Sequence, residues 1–135
     1  PKVRLIGCLA QTDHFAYVKR PIVITDLRSR TFVERVDFIT SVGHLDGGSS
    51  REQAGLDPGG PWRVITDKAV FGFHAESKEM ELLSLHPGIS VDEVLEAMSF
   101  RPLIPDELPT TEAPTAEQVR LIRQEIDPNR ILLVA

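Results

Sequence analysis

The spacing of apolar residues changes character along this chain. Through Leu85 they come in short, β-rich runs. Val3 to Ile6 ends at Gly7, and Ile22 to Thr25 is opened by Pro21 and closed by Asp26. A continuous apolar run of that length suits a strand buried on both faces. Phe32 to Thr40 is longer and partly alternating, with Val36, Phe38 and Thr40 expected on one face and Arg35, Asp37 and Ile39 on the other. Arg63 to Phe73 holds two β-rich pieces, Val64-Ile65-Thr66 and Ala69-Val70-Phe71, with Gly72 expected to mark a bend or bulge. Glu79 to Leu85 alternates in Met80 and Leu82, and less regularly in Leu83 and Leu85.

The last third switches to helical spacing. Ser90 and Glu93 form an S-x-x-E capping box after the Pro87-Gly88 break. Val91, Val94, Leu95 and Met98 then follow the i, i+3, i+4, i+7 spacing of one buried stripe. Thr115 and Gln118 repeat the device. Val119, Ile122 and Ile126 supply the second stripe, and Asp127-Pro128 stops it, which predicts a C-terminal helix over residues 115–127. Between the helices, residues 101–114 hold Pro102, Pro105, Pro109 and Pro114 and are expected to form an extended surface connection. Gly43 to Pro61 is rich in Gly, Ser, Asp and Pro, and a loop of that length is usually functional or mobile. Strands followed by capped helices predict an α/β fold, and the 135 residues are expected to form a single domain.

Composition narrows the function classes. A hydrophobic share of 41% and a charged share of 26% are ordinary for a globular protein. A formal net charge of -5 argues against bulk nucleic-acid binding, which depends on Lys and Arg neutralising phosphates. A phosphorylated ligand remains compatible, because a few local donors can hold one. No apolar run is long enough to cross a bilayer, no signal peptide is visible, and neither nucleic acid nor membrane is expected as a partner. The single cysteine, Cys8, excludes an internal disulfide and fits a cytoplasmic location. The chain begins at Pro1, which leaves open a removed initiator Met or a longer parent chain.

Candidate chemistry is sparse. Cys8 and His14 are close in sequence, but Ile6, Leu9 and Ala10 surround the thiol with apolar groups, an environment that makes a cysteine inert. His14, His44, His74 and His86 show no metal-ligand spacing; His44 with Asp46 is the best local pair, and no metal site is expected. His86, before Pro87-Gly88, is expected to hydrogen-bond a turn. Gly47-Gly48-Ser49-Ser50-Arg51 has the small residues and cation of a phosphate cradle, but lacks the lysine of a P-loop and an obvious helix start. A flexible loop is the expectation there.

Three segments in order resemble the C-terminal half of the β subunit of a family I coenzyme A transferase, of the glutaconate or 3-oxoacid type. Residues 19–25 with 30–41 are similar to that family's paired central strands. Residues 63–73 (Arg-Val-Ile-Thr-Asp-Lys-Ala-Val-Phe-Gly-Phe) are similar to its next strand pair, and residues 83–94 (Leu-Ser-Leu-His-Pro-Gly-Ile-Ser-Val-Asp-Glu-Val) to its turn into a helix. The resemblance implies an open, mostly parallel sheet with flanking helices, part of the NagB/RpiA/CoA-transferase-like fold, with residues 63–73 central in it. It also implies exchange of coenzyme A between an acyl-CoA and a small carboxylic acid through a glutamyl-CoA thioester.

The family's acyl-accepting glutamate belongs to the preceding half and nothing here matches its motif, so no catalytic residue is assigned and the chain is expected to be inactive alone. Gly7 corresponds to the first of several family glycines that let backbone N–H groups approach the thioester. Here Cys8, Leu9 and Ala10 follow it, leaving Gly7 as the one candidate for lining a coenzyme A site. The implied partners are a transferase α subunit and an N-terminal β segment, or a second copy of the chain. A coenzyme A thioester is the implied substrate, and no cofactor is expected to be permanently bound. Two other readings fit the same residues: a non-catalytic interaction or ligand-binding domain, and an acyl-CoA hydrolase component on the same scaffold.

Overall fold

The computed structural model describes residues 12–36, 39 and 41–131. Val3 to Ile6, Gly7 and Cys8 lie outside them. A short helix, α1 (Thr12–Tyr17), precedes strand β1 (Ile22–Ile24), and one helical turn, α2 (Ser50–Gln53), interrupts the long loop. Strands β2 (Arg63–Ile65), β3 (Ala69–Phe73) and β4 (Met80–Leu85) follow, then helices α3 (Val91–Glu96) and α4 (Ala116–Leu121), the latter running into a π-turn at Ile122–Ile126.

The strands form one open sheet in the order β1-β2-β3-β4. The expected α/β arrangement of an open sheet with flanking helices is present, and residues 63–73 supply its two inner strands. In the described residues the sheet is mixed rather than mostly parallel: β1 and β2 are parallel, whereas β2–β3 and β3–β4 are antiparallel. Connection length decides this. Only three residues separate β2 from β3, and a parallel pair needs a crossover of a dozen or more. Thr66 closes the tight turn, its hydroxyl accepting from the N–H groups of Lys68 and Ala69.

The irregular alternation in β4 has a structural cause. Val70 pairs with Ser84 but the next residue, Phe71, pairs with Leu82, so Leu83 is an extra residue on β4. The bulge therefore falls at Leu83 rather than at Gly72. It resets the register so that Met80, Leu82 and Leu85 all meet the core, while Leu83 turns to the opposite face. Gly72 is what admits it: a Cβ there would stand 2.8 Å from the Leu83 Cδ1.

One face of the sheet carries the core. Phe71, Leu82 and Val94 are fully buried, with Leu27, Phe32, Val64, Ala69 and Met98 around them. Helix α3 covers this face through Val94, and Met98, the last residue of the predicted stripe, is buried just beyond the helix end. Its capping box is complete, with Ser90 Oγ accepting from the Glu93 N–H and Glu93 Oε2 accepting from the Ser90 N–H at 2.8 Å. Those Ser90 donors, the backbone N–H first, hold the Glu93 carboxyl below the usual carboxylate range. Ser90→Ala should lower stability by about 1 kcal/mol in urea titrations at neutral pH.

Two expectations change. Residues 32–36 form no strand; residues 37, 38 and 40 lie outside the description. Phe32 instead anchors a turn, its N–H bonded to the Arg28 carbonyl and its ring buried 6.0 Å from that of Phe71. The Pro-rich stretch is more than a surface connection. Leu103 exchanges backbone hydrogen bonds with Met80 and Leu82, and the Thr111 N–H donates to Leu85, so the stretch runs along the outer edge of β4. Its prolines cannot donate to a further strand, so the stretch blunts that edge.

In the described residues the other side of the sheet is only partly covered. Ile22 and Ile24, on the face away from the core, are 49% and 80% exposed, and the half-buried Ile65, Val70 and Leu83 share that face. The C-terminal stripe is also outward: α4 buries no residue, and Ile126 is 61% exposed.

Candidate functional site

Because β1 and β2 are parallel and β3 and β4 alternate with them, the starts of β1, β2 and β4 and the end of β3 meet at one end of the sheet. The segments there are Lys19-Arg20-Pro21, Trp62-Arg63, Phe73 and the β3–β4 turn with Lys78. The Trp62 N–H donates to the Pro21 carbonyl at 2.8 Å, drawing the first two segments together. They line an open pocket of about 320 Å³ with His44 and the Gly59-Gly60-Pro61 turn at its wall.

The pocket's charge is one-sided. Lys19, Arg20, Arg63 and Lys78 line it, and among the described residues no carboxylate does. The described ion pairs, Asp26–Arg28 and Arg120–Glu125, involve none of the four cations. Trp62 organises the two guanidiniums: the Arg63 Cζ lies 4.4 Å and the Arg20 Cζ 5.6 Å from the indole centroid. Contacts of this kind fix long cationic side chains without neutralising them.

His44 forms the inner wall. Its Nε2 donates to the Pro61 carbonyl at 2.9 Å, its ring packs 4.4 Å from that of Phe73, and its Nδ1 is buried without a partner. Gly60 permits this packing: a Cβ there would come within 2.9 Å of the imidazole, and its φ of +101° is one that side-chain-bearing residues avoid. A second proton on His44 would be buried with no acceptor. Burial accordingly lowers its pKa from the ordinary value of about 6.5, Lys78 and Arg51 add to the lowering, and the Pro61 hydrogen bond opposes it. Since the folded state takes up its proton later than the unfolded chain, His44's contribution to stability is complete above about pH 6.5 and is lost as pH falls through the folded-state value. Tm measured across this range should fall with acidification, and His44→Gln, which keeps a donor to Pro61, should flatten that fall.

The Gly-Ser loop proves to be a staple. Arg51, 4% exposed, is buried in it and donates to four carbonyls: Nε to Asp57, Nη1 to Gly43, Nη2 to Phe15 and Ala16, at 2.7–3.2 Å. The guanidinium that would serve a phosphate is spent on the protein's own backbone, and the helical turn α2 that carries it was not legible in the sequence. Gly47, at φ +81°, lets the loop approach the β3–β4 turn, where a Cβ would stand 2.1 Å from the Ser77 carbonyl oxygen.

The remaining candidates are dispersed. His86 Nε2 bonds the Thr66 carbonyl at 2.9 Å, a turn contact of the expected kind although to the β2–β3 turn rather than its own. His14 is exposed on α1 and His74 caps the β3–β4 turn through Ser77. Among the described residues no group of three His, Cys, Asp or Glu could hold a metal ion, and no helix is long and apolar enough to cross a membrane. The basic pocket, with Trp62 at its centre, was missed in the sequence, where its cations are scattered over some sixty positions as Lys19, Arg20, Arg63 and Lys78.

Residues 2–97 match the family model described as coenzyme A transferase. The chain belongs to that family. It is 37% identical over 91% of its length to the β subunit of 3-oxoadipate CoA-transferase from Pseudomonas knackmussii, covering 47% of that protein. It is 35% identical over 98% of its length to the β subunit of glutaconate CoA-transferase from Acidaminococcus fermentans, covering 50%. The crystal structure of the latter transferase superposes with a TM-score of 0.86, covering 100% of this chain and 52% of the other. A cholesterol ring-cleaving hydrolase IpdB subunit from Rhodococcus jostii is also similar, 33% identical over 76% of this chain. The coenzyme A transferase domain thus spans about half the length of the curated relatives it matches.

Proposed function

We propose that this chain is the C-terminal half of a coenzyme A transferase β subunit, which completes a catalytic centre together with an N-terminal β segment and an α subunit. The observation that carries the reading is an apolar face, with Ile22 and Ile24 exposed beside the half-buried Ile65, Val70 and Leu83, on a chain that matches half a transferase subunit from end to end. Open α/β sheets cover both faces, and a surface of this kind is stabilised by a partner burying on the order of 1,000 Å² or more. A second copy of the chain is the alternative cover.

In the proposed reaction a glutamate on the neighbouring segment attacks the thioester of an acyl-CoA, giving an acyl-glutamyl anhydride and free CoA thiolate. The thiolate then attacks the glutamyl carbonyl, releasing the acyl carboxylate and leaving glutamyl-CoA. An acceptor carboxylate repeats the two steps in reverse, taking the CoA and regenerating the glutamate. Covalent catalysis divides one difficult exchange into easier ones. This chain contributes scaffold, with Gly7 as its candidate for lining the thioester site.

Co-purification with the neighbouring polypeptide and an assay of exchange between acyl-CoA and a carboxylic acid tests the proposal. Exchange is expected only in the assembled complex, and hydroxylamine should trap a glutamyl hydroxamate outside this chain. An assembled complex without exchange would overturn the reading. Release of free CoA without an acceptor acid would favour the hydrolase alternative, which the similarity to the ring-cleaving hydrolase supports.

A further inference from the structure

We infer that the basic pocket receives the acidic, Pro-rich stretch of a second copy of this chain, so that two copies close into a dimer through a pocket-to-stretch contact made twice. This contact goes beyond the transferase reading and holds whichever reaction the assembled protein performs.

Charge selects the occupant. The pocket gathers Lys19, Arg20, Arg63 and Lys78, and among the described residues no carboxylate lines it. Its complement stands on the same chain. Between Arg101 and Arg120 there is no Lys or Arg, and Asp106, Glu107 and Glu112 are all exposed there. The described ion pairs involve neither set. Within one copy the sheet keeps the two surfaces apart: β3 and β4 intervene, and three strand spacings, about 14 Å, separate β2 from the stretch.

Shape selects the same occupant. Trp62, 41% exposed, lines the pocket, and extended proline-bearing segments dock on aromatic side chains at low ordering cost. Pro105 and Pro109 bracket the acidic pair Asp106-Glu107, which stands at an exposed bend. Both ends of that bend are fixed to β4, Leu103 by backbone hydrogen bonds with Met80 and Leu82, Pro109 and Thr111 by bonds with Leu85. The bend is therefore shaped before any partner arrives. Exposed Tyr17, two residues before Lys19, and Leu103, 38% exposed, add apolar surface beside the charges. Trp, Tyr and Arg are the side chains that anchor protein interfaces, and a small anion would leave the aromatic ones unused. A surface and its complement on one chain meet twice under a two-fold axis, which closes the assembly at two.

Analytical ultracentrifugation of the chain provides the test. A concentration-dependent dimer is expected, weakened by added salt. It should weaken roughly tenfold or more on either charge reversal, Lys19→Glu/Arg20→Glu in the pocket or Asp106→Lys/Glu107→Lys in the stretch. All four residues are exposed and outside the strands, and circular dichroism checks that each variant is folded. Mixing the two reversed variants should restore a one-to-one dimer, because the changed positions again meet charges of opposite sign. A chain that stays monomeric at every concentration would overturn the inference. So would a dimer unmoved by both reversals, which would place the contact on the Ile22 and Ile24 face instead, and so would a mixture that fails to pair. Saturable binding of pyrophosphate by a chain that stays monomeric would give the pocket to a small anion and overturn it as well.

Discussion

Replacing Arg51 by methionine should destabilise the protein by about 3 kcal/mol or more, an unusually large loss for a residue in a Gly- and Ser-rich loop. Hydrogen bonds to a charged group contribute roughly 1.5–3 kcal/mol each, and a buried acceptor left without its donor costs about 1–3 kcal/mol. Arg51 supplies four carbonyls at once. Two of them, Phe15 and Ala16, belong to the last turn of α1, whose final carbonyls have no partner within the helix. The others, Gly43 and Asp57, lie on opposite limbs of the loop. The side chain thus fastens α1 to the loop that walls the basic pocket. Methionine keeps the volume of the stem and none of the donors. Arg51→Lys should recover only part of the loss, because one ammonium cannot reach all four oxygens. Urea unfolding measures the cost, and hydrogen exchange locates it. Amides of α1 and residues 43–61 should lose protection before those of β2 and β3. A change below about 1 kcal/mol would show that water replaces the guanidinium without penalty.

The second large effect concerns Phe71. Truncation to alanine should cost about 3–5 kcal/mol, a large share of the roughly 5–15 kcal/mol that separates folded from unfolded domains. Phe71 is fully buried on an inner strand, in one cluster with Phe32 of the turn, Val94 of α3 and Met98 just beyond that helix. Its removal leaves a cavity that none of these three elements can fill without moving the others. Phe71→Leu, closer in volume, should cost less. Ile24→Ala is the informative contrast. With Ile24 80% exposed, the substitution should leave the isolated chain within about 0.5 kcal/mol of wild type. If a partner covers that face, the same substitution should weaken assembly. Denaturation of the isolated chain alongside a binding titration separates the two cases.

What the sequence disclosed followed how local each determinant is. Both capping boxes are contained within four residues, and both are formed. The inner strands carry dense β-branched and aromatic runs that hold in almost any sheet. The uneven pattern in β4 was itself informative: Leu82 and Leu83 could not both point inward, and the bulge is how the chain resolves it. Three features depend on distant partners and left no such trace. Phe32 looks like the start of a strand because alternation continues after it, yet its ring is claimed by Phe71, thirty-nine positions on. Arg51 looks solvated because it sits among small polar residues, and only the carbonyls of α1 show where its charge goes. The C-terminal stripe of Val119, Ile122 and Ile126 is genuine as a helical pattern, but periodicity says that a face is apolar without saying that this chain covers it.

The Pro-rich stretch laid along β4 makes the sheet directional. Among the described residues β4 is flanked and β1 has no outer neighbour, so a further strand, from this chain or another, can join them at β1 only. Two copies joining through their open flanks would present only sealed ones to the next arrival. Edge-to-edge growth through the β4 side is therefore closed, which guards the sheet against seeding a fibre from that flank.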